Sequence, residues 1–166
     1  LQQLGLPVAC ALEGVGANLI AHPRMPLMLA SRQPLTFLNE LRIDRAALSV
    51  LRWAAFGSGP FANQICNGTV LFKSEPALDR PDIQLLCNPV RFDARLWFPR
   101  LAPPLEHAFY VTVCQLYAKS RGRVSLRSPD PGDPPRIQLG IFSHPDDFTS
   151  MRAGLREARQ IGRASC

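Results

Sequence analysis

The stretch whose reading decides the fold is "HAFYVTVCQLYA", residues 107–118. Alternation puts Phe109, Val111, Val113 and Gln115 on one face of a strand, and Tyr110, Thr112, Cys114 and Leu116 on the other. Both faces are largely apolar, so this strand is expected at the centre of a sheet. On its C-terminal side "SRG" (120–122) reads as a turn. "RVSLRS" (123–128) then alternates, with Val124 and Leu126 on one face. The two runs together predict an antiparallel hairpin with a loose connection.

Working outward, "GTVLFKS" (68–74) and "DIQLLC" (82–87) are short apolar runs bounded by Pro, Asn and Gly, which predicts two further strands. Upstream, "IDRAALSVLRWAAFGSG" carries Ala47, Leu48, Leu51, Ala54 and Ala55 at helical spacing. Asp44 suits the positive end of that helix, and Gly57 stands where a terminating glycine is expected. Residues 35–41 read as a helical turn or two, and residues 23–34 as an extended connector around "LMLA". Residues 7–12 read as a short buried strand that Gly14 and Gly16 break. Downstream, "PDPGDPP" (129–135) is a rigid loop and "RIQLGIF" (136–142) another extended run. "SHPDDFTSMRAGLREARQI" (143–161) predicts a helix, with Ser143 and Asp146 as a capping box and Phe148, Met151, Leu155 and Ala158 as its buried stripe.

The 166 residues suffice for one domain or large parts of two. At this length roughly two thirds of the unfolded surface is buried on folding. Sixteen prolines, spread along the chain, suggest many ordered turns. The net charge is +6, but the arginines are scattered and form no block, so nucleic acid is not an expected partner. No run of 18 apolar residues exists, and no membrane span is expected. "LQQLGLP" has neither the basic start nor the cleavage site of a signal peptide. The five cysteines, Cys10, Cys66, Cys87, Cys114 and Cys166, lie far apart without a C-x-x-C pair. That argues against a zinc site and for reduced thiols in a cytoplasmic setting.

No complete catalytic constellation is present. Gly14 and Gly16 in "LEGVGANLIAHP" (12–23) invite comparison with a dinucleotide-binding loop, but Leu19 stands where the third glycine belongs. Pro23 and Pro26 also leave no room for the helix such a loop requires, so a tight turn is the simpler account. His22, His107 and His144 are isolated and read as structural. Asp146 and Asp147 point about 100° apart on a helix, which suits dipole compensation better than paired acid–base work. Trp53, Trp97, Tyr110 and Tyr117 read as core. Ser120, Ser125 and Ser128 lie in no nucleophile elbow.

Two segments resemble one family. "LGLPVACALEGVGANLIAHP" (4–23) resembles the glucose–methanol–choline (GMC) oxidoreductase stretch "LGIPV…DLPGVGxNLxDHP". "SRGRVSLRSPDPGDPPRIQLGIFSHPDDFTSMRAGLREAR" (120–159) is similar to the opening of that family's C-terminal section. The resemblance implies an α+β fold: a mainly antiparallel sheet with helices on one side, joined to an incomplete flavin domain. It divides the chain into 1–25, an edge of the FAD-binding domain; 26–119, the substrate-binding domain; and 120–166, the start of the C-terminal section. It implies FAD as cofactor, a small-molecule alcohol as substrate, and hydride transfer from a CH–OH group to the flavin. Gly14, Gly16, Asn18 and His22 match the family's second glycine turn and are the implied cofactor-bordering residues, with Asn18 and His22 pinning the seam between domains. Ala21 and Glu13 depart from the family's Asp and Pro. The phosphate-gripping glycine loop is expected before Leu1 and the catalytic histidine after Cys166, and "GRASC" matches nothing expected after the last helix. No catalytic or metal-binding residue is therefore assigned within the chain. The alternatives are an inactive binding module of the same fold or a basic nucleic-acid binder.

Overall fold

The computed structural model describes residues 1–63 and 68–164. A four-stranded antiparallel sheet forms its centre, in the order β1-β4-β3-β2. The strands are β1 (Arg24–Ala30), β2 (Gly68–Phe72), β3 (Ile83–Asn88) and β4 (Ala108–Gln115). The central place expected for 107–118 is that of β4, paired with β1 on one side and β3 on the other. A helix α2 (Pro145–Ala164) crosses one face of the sheet. There Ile83, Leu85, Val111 and Val113 close against Met151 and Ala158. Leu27, Leu29, Phe72 and Phe109 from the same face extend this core. The fold class is the one expected, α+β with an antiparallel sheet.

The opposite face, with Tyr110 and Thr112 on β4, Gln84 and Leu86 on β3 and Leu71 on β2, carries no helix among the described residues. The other helix, α1 (Ile43–Phe56), packs on short 3-10 turns at Phe37–Leu41 and Pro60–Ala62. It ends at Gly57, whose left-handed backbone and N–H to the Trp53 carbonyl close the helix as expected.

Several local expectations are corrected. Residues 7–12 form no strand and are exposed, because no neighbouring strand reaches their backbone. Part of the connector at 23–34 is strand β1 instead. Pro26 is tolerated because β1 is an edge strand, where a missing N–H costs no ladder bond on the open side. The predicted hairpin between 107–118 and 123–128 does not form. β5 (Arg123–Ser125) pairs with β6 (Arg136–Gln138), since both long edges of β4 are already occupied. In α1 the apolar positions Leu48 and Leu51 are 67% and 65% exposed, and burial falls on Ala46 and Ser49. The stripe is therefore real but faces outward. Phe148 of α2 is likewise exposed, while Asp147 and Gly154 join Met151 and Ala158 on the buried side. Trp53 and Tyr117 are not core residues either; each is about half exposed. Cys66 and Cys166 lie outside the described residues; Cys10 and Cys114 are free thiols. No described helix is long and apolar enough to cross a membrane.

Candidate functional site

Gly14, Gly16 and Asn18 lie in one tight turn, as the simpler reading of the two glycines required. The Ala17 N–H reaches the Gly14 carbonyl at 3.1 Å. Gly16 and Asn18 have φ of 76° and 56°. Three chain segments meet here through main-chain atoms. The Val124 N–H donates to the Gly16 carbonyl at 2.7 Å, and Leu19 and Gly122 exchange two bonds of 3.0 and 2.8 Å. The close approach needs hydrogen in place of a side chain. A Cβ on Gly16 would collide with the Val124 carbonyl, one on Gly122 with Gln138 and Leu139, and one on Gly140 with the Arg121 carbonyl. Gly14 has open space around it. The second glycine of the pair is thus the one the packing demands.

This seam borders a cleft of about 410 Å³ lined by Asn18, Arg121, Gly122, Arg123 and Gly140, among others. The Arg121 guanidinium is held by the Ala118 and Ser120 carbonyls at 2.7 and 3.0 Å. Of the four residues expected to border a cofactor only Asn18 lines this cleft; Gly14, Gly16 and His22 do not. His22 is exposed, just before Pro23, whose carbonyl accepts from the Gln115 N–H at 3.1 Å. Among the described residues the hydrogen bonds that join these segments of the chain are main-chain ones.

The histidines have structural surroundings. His107 Nδ1 shares a 2.7 Å hydrogen bond with Thr36 Oγ1. His144 ends the loop before α2, and its Nδ1 accepts the Asp146 N–H at 3.3 Å. The expected capping role of Ser143 passes to His144, because Pro145 is the first helical residue. No group of three or more potential metal ligands occurs among the described residues.

The residue that sequence reasoning undervalued is Asp147. Its side chain is 1% exposed. Its two oxygens accept the N–H groups of Lys119 and Ser120, each at 2.7 Å, and Oδ1 also accepts from Gln115 Nε2 at 3.1 Å. Burial pushes this carboxyl up, but the bonds from Ser120, Lys119 and Gln115 outweigh it and hold the group below the usual carboxylate range. Asp146 is different: the Lys119 ammonium at 2.6 Å lowers it on the open surface. The adjacent acids divide the work, one tying α2 to the end of β4 and one facing solvent. The only sequence signal was the pair itself, and helical phase did not tell which member turns inward.

With this geometry in place, the likenesses to known proteins become specific. The chain superimposes on Aspergillus oryzae formate oxidase, in a structure concerned with FAD modification, with a TM-score of 0.79 and 21% identity over 95% of this chain and 32% of that one. Pyridoxine 4-oxidase from Mesorbium loti gives a TM-score of 0.66 and 20% identity over 97% of this chain and 27% of that one. The sheet, helix and seam therefore form an α+β unit of the fold found in these oxidases. In sequence, the oxygen-dependent choline dehydrogenase of Brucella canis is 31% identical over 163 residues, covering 97% of this chain and 29% of the relative. That of Rhizobium etli is 31% identical over 161 residues, with the same coverage. The GMC oxidoreductase family profile matches residues 118–165, which include β5, β6 and all of α2. The match to the GMC oxidoreductase family thus covers the C-terminal part of the chain, and the chain spans 29% of the length of these curated relatives.

Proposed function

We propose that this chain is the substrate-binding part of an FAD-dependent oxidoreductase that oxidises CH–OH groups of small alcohols. The observation that carries the reading is the glycine seam at the edge of a sheet whose second face carries no helix among the described residues, in a chain whose C-terminal part matches this family. FAD, when bound, supplies a two-electron acceptor. The seam suits a bordering role towards such a group: its cleft presents Asn18, main chain freed of side chains at Gly122 and Gly140, and two arginines that suit an anionic ligand. Its turn is followed by strand β1 rather than by a helix N-terminus, so it lacks the device that grips a diphosphate. Asn18 lines this border, and Gly14, Gly16 and His22 stand beside it. The open face, with Tyr110, Thr112 and Leu86, would wall the alcohol and exclude water. None of His22, His107 and His144 is assigned the proton-accepting step. A cytoplasmic setting, from the dispersed spacing of the cysteines in the sequence, belongs to the same proposal.

The test is anaerobic titration of the full-length polypeptide carrying these residues with choline and simple primary alcohols, while flavin absorbance is followed. Bleaching that depends on the alcohol is the expected result. Retention of flavin by the 166-residue chain alone through gel filtration, or turnover without flavin, would overturn the proposal.

A further inference from the structure

Strand register sorts the side chains of the central sheet onto its two faces, because residues directly opposite in an antiparallel pair share a face. Arg24 of β1 stands opposite Cys114 of β4, and Cys114 opposite Gln84 of β3. This is the face away from α2, since Val113 and Ile83, one residue out of step, lie in the core beneath that helix. Among the described residues Arg24 is the only charged residue in β1, β2, β3 or β4. It is exposed, and no carboxylate among the described residues pairs with it, whereas Arg42, Arg91 and Lys119 each have one. Its guanidinium acts on this face: burial pushes the Cys114 thiol up, and the charge of Arg24 works against that push.

The position of Arg24 along the face is an independent observation. Leu19, bonded to Gly122 in the seam, leads into β1 at Arg24, and β4 runs out at Gln115 towards the same Gly122. The Gln115 N–H donates to the Pro23 carbonyl and closes this end of the strand pair. Arg24 therefore marks the end of the face that adjoins the seam, and Tyr110 lies further along it, opposite Met28. Same-face positions are about 7 Å apart along a strand and neighbouring strands about 4.8 Å apart, so an extended arginine reaches a ligand resting on Thr112.

Resting on the flavoenzyme reading, in which this face walls the substrate, we propose that the alcohol bears a carboxylate and that Arg24 binds it: the substrate class is a small hydroxy acid. A guanidinium holds a carboxylate through two parallel N–H···O bonds, and such bonds strengthen where water is excluded. A neutral alcohol leaves the guanidinium unpaired against the wall, and a quaternary ammonium is repelled by it. The strands offer no acidic residue that would reverse this preference.

The experiment compares alcohols of one chain length and different charge, β-hydroxypropionate, n-propanol and choline, as reductants of the flavin in the full-length polypeptide. The hydroxy acid is expected to show kcat/KM at least about ten-fold above n-propanol, with choline slowest. Arg24→Lys should keep this order with a smaller margin, Arg24→Gln should bring the acid and n-propanol within about three-fold, and Arg24→Glu should put choline ahead of the acid. Circular dichroism checks that each variant is folded. Propionate, which has no hydroxyl to oxidise, should bind saturably in calorimetry, and at least about ten-fold more weakly to the Arg24→Gln variant. Choline or n-propanol as the best reductant of the unsubstituted protein, or an order that Arg24→Gln and Arg24→Glu leave unchanged, overturns the proposal and leaves the flavoenzyme reading intact. Arg24-dependent binding of propionate without bleaching by any of the alcohols supports the carboxylate site and counts against the flavoenzyme reading. Absence of both overturns both.

Discussion

The pair Gly14 and Gly16 looks symmetrical in sequence and is not so in space. Gly16 combines a positive φ with a neighbouring carbonyl where its Cβ would stand; Gly14 has neither. Gly16→Ala should therefore destabilise the protein by at least about 1 kcal/mol, whereas Gly14→Ala should change stability by less than about 0.5 kcal/mol. Paired thermal melts of the two variants check this. Asp147 is the other decisive single residue. Its lowered pKa means that the folded state binds its proton less readily than the unfolded one. Its stabilising contribution is thus complete above the unfolded value of about 3.9 and is lost as pH falls through the lower folded value. Asp147→Asn keeps the shape but sets an N–H₂ group among amide donors; it should cost about 1–3 kcal/mol at neutral pH and flatten the acid limb of the stability curve. Denaturant melts from pH 7 to pH 3 read both effects. Asp146→Asn, on the open surface, should leave that limb nearly unchanged.

At the scale of elements, α2 owes its distance from the sheet to a missing side chain. A Cβ on Gly154 would stand 2.6 Å from Val113 Cγ1 and 3.0 Å from Ile83 Cγ2, both in the core. Replacing a mid-helix glycine by alanine ordinarily gains up to about 1 kcal/mol in helix propensity. Here overpacking, at about 1–3 kcal/mol, should win, so Gly154→Ala is expected to lower Tm. An unchanged or raised Tm would show that α2 can lift from the sheet without loss. α1 presents the reverse case. Its helix was legible from spacing and its terminating glycine, yet its outward direction was not. Periodicity says which residues share a face and is silent on what that face meets.

For the molecule as a whole, only one face of the sheet carries a helix among the described residues, and Leu48, Leu51 and Phe56 of α1 stand exposed in one short helix. Apolar surface of this kind promotes association. The 166-residue chain alone should form oligomers or aggregates in light scattering. Leu48→Glu with Leu51→Glu should reduce them while the circular dichroism spectrum stays the same. A monodisperse monomer before any substitution would contradict the expectation.

The sequence by itself determined the helices, the central strand, the fold class and the family resemblance, because these rest on local periodicity, turn chemistry and short motifs such as "GVGANL" and "SRGRVSL". Only the tertiary structure decided strand partners, the direction of each apolar stripe and the roles within each look-alike pair. β5 pairs with β6 because β4 has no free edge. Gly16 matters more than Gly14, and Asp147 turns inward rather than Asp146, because of what lies across from each in space. A residue's neighbour along the chain is written in the sequence; its neighbour across the fold is set by packing among segments a hundred residues apart.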